Sequence, residues 1–198
     1  MHRGFIVFLL VGFLSGCNIF LGNAGEKDTP CVVDTDCSEG LFCAGDRCQV
    51  AIDRMWQISP DSGEMGHSEA NDYCDLLVCD GQDDWRLPSI SELRGLIHEC
   101  PEMEPDGGCG VSDGCNSSLP PPEAECLNGL CMNCEPNMGP DYGCYWPDEM
   151  DGDCHIYWSS TTVDDLAENH WAIDFQDAGI FPQSDGNPHY VRCFRDGI

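Results

Sequence analysis

The sequence predicts an α+β domain held together by disulfides. Three observations carry this. Helical periodicity lies early, near residues 68–77 and 89–97. Strand-like patterns lie late, between residues 155 and 195. Between and before them run turn-rich stretches, in a chain with 16 Cys, 22 Gly and 13 Pro among 198 residues. Hydrophobic residues make up 41%, enough for a core if cross-links assist it. The balance of 36 Asp and Glu against 8 Lys and Arg gives a formal charge of −28. Such a surface repels phosphate backbones, which excludes nucleic-acid partners. The cysteine load fits an oxidising compartment.

Residues 1–16 have the form of a signal peptide. Arg3 gives a positive start, and the ten residues 5–14 are an apolar run. That run is too short to span a bilayer and long enough for a signal core. It closes on Leu14-Ser15-Gly16-Cys17, which resembles the lipobox of bacterial lipoproteins. The resemblance implies cleavage before Cys17, acylation of that residue and a membrane anchor of several chains. Asn18 in place of Asp implies, by the same resemblance, the outer membrane or cell surface of a Gram-negative bacterium. Loss of Arg3 with the leader makes the mature chain more acidic still. With Cys17 acylated the remaining cysteine count is odd, so at least one thiol is free or bonded to another chain.

Residues 17–30 are expected to be the lipidated cysteine and a tether without sustained periodicity. Residues 31–49 hold Cys31, Cys37, Cys43 and Cys48 among Asp and Gly. So short a stretch has almost no core and needs cross-links. It contains no C-x2-C pair and no His, so two disulfides are expected and zinc is not.

Residues 50–198 form the main domain. Residues 53–58 predict an opening strand. From Ser68, the residues Ala70, Tyr73, Cys74 and Leu77 fall on one helical face. A second helix starts at Ser89, where Ser89 and Glu92 form a capping box after Pro88. Its buried stripe is Ile90, Leu93, Leu96 and Ile97. Strands follow at 155–160, at 169–175, where Trp171, Ile173 and Phe175 alternate with Ala172 and Asp174, and at 189–195. A short strand near 179–181 is also expected. Residues 99–154 carry eight further cysteines with Pro120-Pro121-Pro122 and read as a disulfide-stapled surface excursion. If those eight pair internally, Cys79 is left over.

Several phrases in order resemble the DUF1566 family, also described as the C-terminal domain of the Legionella collagen-like adhesin. They are Ala70-x-x-Tyr73-Cys74, Asp84-Trp85-Arg86-Leu87-Pro88-Ser89 with Glu92-Leu93, and Tyr157-Trp158-Ser159-Ser160-Thr161. Trp171-x-x-Asp174-Phe175 and Val191-Arg192-Cys193-Phe194-Arg195 complete the set. The resemblance covers about 52–98 and 155–195, and 99–154 is an insertion. It implies a C-type-lectin-like fold: two helices flanking a small, twisted, mostly antiparallel sheet with adjacent terminal strands. It also implies a long disulfide between Cys74 and Cys193. Trp85, Trp158 and Trp171 are expected in the core.

Residues 95–191 contain no Lys or Arg and nineteen Asp and Glu. Most of these belong to a solvated acidic face. Asp148, Glu149, Asp151 and Asp153 crowd around Gly152 and form a weak calcium candidate, since hard oxygen ligands at short spacing suit that ion. Met150 occupies a ligand position of the EF-hand template, so that template does not apply. No other cofactor is indicated. Glu135-Pro136-Asn137 matches a sugar-binding triplet of calcium-dependent lectins, but it precedes the strand it should follow and is read as coincidence. His98, His155, His170 and His189 are scattered and read as structural. No nucleophile elbow is present. The expected function is a non-catalytic, lipid-anchored envelope protein that binds a glycan, a matrix polymer or a protein. Two alternatives are a disulfide-linked structural protein and an enzyme of the formylglycine-generating type, whose Gly-Asn-x-Trp-Glu-Trp sequence is absent.

Overall fold

A computed structural model describes residues 19–21, 41–44, 47–50, 54–58, 60, 63–79, 81–118, 126–131, 133–140, 143–148 and 150–196. In chain order the elements are β1 (Ile19–Leu21), β2 (Leu41–Ala44), β3 (Arg47–Val50), β4 (Arg54–Gln57), α1 (His67–Asp75), α2 (Ile90–Arg94), β5 (Ile156–Thr162), β6 (Asn169–Asp174), β7 (Gly179–Ser184) and β8 (Phe194–Asp196). This is a small α+β protein with antiparallel sheets.

Strand β4 is the middle of one three-stranded sheet, between β1 and β8. It runs antiparallel to both, with Trp56 opposite Phe20 on one side and Phe194 on the other. Part of the expected tether is therefore structured. The apolar triplet Ile19-Phe20-Leu21 pairs its backbone with the edge of β4 that β8 leaves open, an edge that would otherwise present unpaired donors and acceptors. Strands β2 and β3 form a hairpin in which Cys43 stands opposite Cys48. Cys17, Cys31 and Cys37 lie outside the described residues.

Strands β5, β6 and β7 make an antiparallel meander. Both of its faces are buried, because the two-residue period of a strand sends neighbours to opposite sides. Tyr157, Trp171 and Ile173 enter the larger core with Ile90, Leu93 and Phe175. Trp158 and Ala172 point the other way, into a smaller core with Ala70 and Cys74 of α1, Trp85, Leu87 and Val191. The three motif tryptophans, Trp85, Trp158 and Trp171, are all buried.

Helix α1 buries Ala70 and Cys74 and adds His67 at its start. Helix α2 has the expected cap: Ser89 Oγ accepts from Glu92 N at 3.2 Å, and Ser89 N donates to Glu92 Oε2 at 2.8 Å. It is only five residues long, so Leu96 and Ile97 are buried from the turns that follow it. The last strand is also shorter than its β-prone sequence suggests. Tyr190 N donates to Ile156 O and Tyr190 O accepts from Trp158 N, beside β5. Three residues later, Cys193 O accepts from Gln57 N and Phe194 joins β4. A segment that crosses from one sheet to the other cannot keep one ladder.

The segment 99–154 is more than a surface excursion. Its eight cysteines pair internally as Cys100–Cys134, Cys109–Cys131, Cys115–Cys126 and Cys144–Cys154. It also sends Met103, Val111, Tyr145, Trp146 and Met150 into the larger core. Arg94, buried at the end of α2, fixes the start of the segment by donating to the carbonyls of Met103 (3.1 Å), Glu104 (2.7 Å) and Val111. Cys79 is not the leftover thiol that the count suggested. It is buried and disulfide-bonded, and no described cysteine is free.

Cys74 and Cys193 are joined, with Cα atoms 5.4 Å apart across a sequence separation of 119. Replacing both by Ala should lower unfolding free energy by about 5 kcal/mol in the chain-entropy model. Urea denaturation of wild type and the double variant measures the difference.

Candidate functional site

The phrases that stand out in the sequence turn out to hold the scaffold. Arg86 grips Glu92 with two bonds of 2.8 and 2.7 Å and reaches Asp196 at 3.1 Å. Glu92 is also the capping acid of α2, so one carboxylate closes a helix end and anchors the preceding loop. These contacts hold the Arg86 guanidinium above its ordinary pKa, with the Glu92 hydrogen bond the largest cause. Arg195 makes a two-bond fork to Asp84 at 2.6 and 2.9 Å. That bond pulls the exposed Asp84 carboxyl below the usual range. The backbones of Arg86 and Phe194 exchange hydrogen bonds of 2.8 and 2.9 Å. Arg192 is fully buried and donates to three carbonyls, Gln57 (2.6 Å), Ile58 (2.5 Å) and Asp151 (2.6 Å). Its guanidinium lies 4.6 Å from the Trp146 ring centre.

The acidic run is divided between backbone and side chains. Asp151 O takes the Arg192 bond, and Asp153 O accepts from Tyr157 Oη at 3.0 Å. Gly152 has φ +124°, and a Cβ there would meet Tyr157 Oη at 3.1 Å and Arg192 Nη2 at 3.2 Å. The glycine is thus required by close approach as well as conformation. The side chains of Asp148, Asp151 and Asp153 are exposed, and Glu149 lies outside the described residues. Asp151 Oδ1 accepts from Gly152 N at 2.8 Å. Glu135, Pro136 and Asn137 lie exposed in a turn, where Glu135 O accepts from Tyr145 Oη at 2.7 Å.

Another acid is gathered into a polar knot at the cap of α2. Asp113 accepts from Ser89 Oγ (2.8 Å), Ser91 N (3.2 Å) and Thr161 Oγ1 (3.0 Å). These donors hold its carboxyl below the usual range, although burial, the largest single influence, acts the other way.

The cluster that sequence reading missed lies where α1 meets the meander. His67 opens α1, His170 is on β6, and Asp185 follows β7. Among the described residues these three form the one group of potential metal ligands whose donor atoms all lie within 4.8 Å. His67 and His170 stack with ring centres 3.4 Å apart and planes 12° apart. His170 Nδ1 is 2.6 Å from Asp185 Oδ1. His67 Nε2 is 3.0 Å from Ser159 O. A carbonyl only accepts, so Nε2 carries the hydrogen and Nδ1 keeps its lone pair, facing Asn71 Nδ2 at 3.3 Å. His67 shares the buried helical face of Ala70 and Cys74, but as a polar residue ahead of the apolar run, 103 positions before His170, it gave no signal in the sequence.

The donor set would suit zinc, but the arrangement does not. Each imidazole lone pair lies in its ring plane. Two nearly parallel planes stacked at 3.4 Å cannot both contain one ion at a Zn–N distance of about 2.1 Å. Both His67 nitrogens are also already used by Ser159 and Asn71. His67 is therefore a satisfied, neutral imidazole within this group. Burial is the largest influence holding His67 below its ordinary pKa, followed by the charge of His170. Burial likewise lowers His189, whose Nε2 is 3.1 Å from Gln183 Oε1.

Together these features define a class: a small, disulfide-stapled α+β domain whose arginine clasps tie its last strand to its first helices. The chain belongs to the Lcl C-terminal domain family, whose model matches residues 48–195. No curated protein and no solved structure matches it significantly.

Two lowered histidines have a consequence for stability. The unfolded chain binds protons near the ordinary value of 6.5 that the folded chain refuses, so stability falls as pH drops through 6.5. Thermal melts at pH 7.5 and 5.5 should show a lower midpoint at 5.5. His67→Gln combined with His189→Gln should narrow that gap.

Proposed function

We propose that the protein is a lipid-anchored, exported envelope protein whose C-type-lectin-like domain binds an extracellular glycan, matrix polymer or protein without catalysing a reaction. The observation that carries this reading is membership, over residues 48–195, in the Lcl C-terminal domain family, joined to the resemblance of the chain's motifs to the C-terminal domain of a collagen-like adhesin. The lectin-like fold is supported by the pairing of β4 with β8, by the helices α1 and α2, and by the long Cys74–Cys193 link. Export is supported by the five disulfides that the domain holds between Cys74 and Cys193. The anchor is Cys17, which follows the signal-like run.

The partner's chemistry follows from charge. A formal charge of −28 disfavours sulfated polymers and favours a neutral or cationic surface. Asp148, Glu149, Asp151 and Asp153 are the candidate point for a bridging calcium ion.

The test is a binding screen of oxidised protein, residues 18–198, which keeps β1 and omits only the leader and Cys17. Neutral glycans, cationic polymers and matrix proteins would be tried with calcium and then with EDTA. We expect binding to a neutral or cationic ligand, weakening with salt in the cationic case. Loss in EDTA would assign calcium to the contact. An absence of binding in both conditions would overturn the reading.

A further inference from the structure

Two imidazoles flank one buried indole, and a third backs one of them. His67 and His189 meet the Trp158 ring edge-on at 5.2 and 4.8 Å, and His170 lies flat against His67. The rings come from α1, the segment before β8, β5 and β6, so they form the seam between the start of α1 and the meander. The hydrogen bonds that close the seam involve the same residues. Trp158 Nε1 donates to Met65 O at 2.9 Å. Met65 and His189 exchange backbone bonds of 2.9 and 3.0 Å, and His67 N donates to Asp185 O at 3.0 Å.

This packing requires an uncharged His67. Asn71 Nδ2 also donates to His67 O at 3.3 Å, which fixes the amide with its N–H groups toward the ring. A second ring proton, on Nδ1, would face those N–H groups with no acceptor. It would also place charge directly against His170 at the stacking distance. The charged and titratable groups bearing on His67 are His170 and Asp185, and Glu64 bears on His189. Asp185 and Glu64 favour protonation. Burial opposes it at both histidines and is the larger influence.

We propose that this seam is a proton-operated latch. Neutral His67 and His189 close the start of α1 on β5, and their protonation in mild acid releases residues 63–70 while the Cys74–Cys193 disulfide keeps the rest of the helix attached. The opening is local, because the covalent link lies only seven residues beyond His67. It uncovers the indole of Trp158 and the backbone of the 185–189 turn.

Hydrogen exchange of the oxidised full chain, read by mass spectrometry between pH 7.5 and 5.0 and corrected for intrinsic rates, tests the latch. Exchange in residues 63–70 should rise roughly tenfold or more across that range, with β6 and β7 unchanged. His67→Gln retains an amide donor for Ser159 O and should flatten the response. His155→Gln, at an exposed ring stacked on Tyr190, should leave it intact. Imidazole titration of the wild type by NMR provides a readout independent of any variant, and two histidines should titrate below 6.5. A flat exchange profile, opening of the whole domain at once, or all histidines titrating at the ordinary value would overturn the latch. So would protection gained on adding zinc and lost in His170→Gln, which would indicate a metal site.

Discussion

The burial of Arg192 is the constraint on which the domain's organisation rests. A guanidinium cannot lose its charge at any relevant pH, so once inside it must find oxygen. It finds three carbonyls, two at the end of β4 and one at the end of the insertion. One side chain therefore fixes the relative positions of the first strand of the domain, the last segment of the chain and the returning insertion. Charged hydrogen bonds of this kind contribute about 1.5–3 kcal/mol each, and an orphaned buried charge costs more than it gained. Trp146 and Tyr157 line the guanidinium, which explains why the insertion contributes core residues. Without Trp146 in place, the cation would face a gap.

The other clasps extend the same logic. Asp84–Arg195 and Arg86–Glu92 lock the loop before α2 to β8 and to the helix cap. Because Glu92 serves the cap and Arg86 together, loss of either frays both. The residues that make this chain recognisable are thus committed to structure. On the function proposed above, a partner would meet what the clasps leave free: the acidic exposed side chains and the loops of the insertion.

The disulfides complement these clasps. The four links within 99–154 replace the regular secondary structure that Gly and Pro forbid there, and each limits the unfolded chain more than it adds contacts. Arg94 gives the same region a polar anchor by collecting its carbonyls. Such a segment can vary in surface sequence without losing its shape. The histidine seam sits on the opposite face of the meander, where α1 is held by Cys74–Cys193 and by the packing of His67 against Trp158 and His170.

Local patterns alone were enough to place α1, the capping box of α2, β5 and β6, because periodicity and caps are properties of neighbouring residues. They also marked Trp85, Trp158 and Trp171 as core. The limits were equally physical. Strand β1 depends on an open edge some 35 residues away, and the split of residues 189–195 depends on two sheets competing for one segment. Met103, Val111 and Trp146 carry no period, so only the tertiary structure reveals that they are buried. The bonding of Cys79 cannot follow from counting, since 16 cysteines allow very many pairings. The His67–His170–Asp185 cluster joins residues from three separate elements. A sequence records which side chains a chain has, and near neighbours settle its helices and strands. Which distant imidazoles meet, and whether their lone pairs converge or lie in parallel planes, is decided only when the sheet and the helix pack.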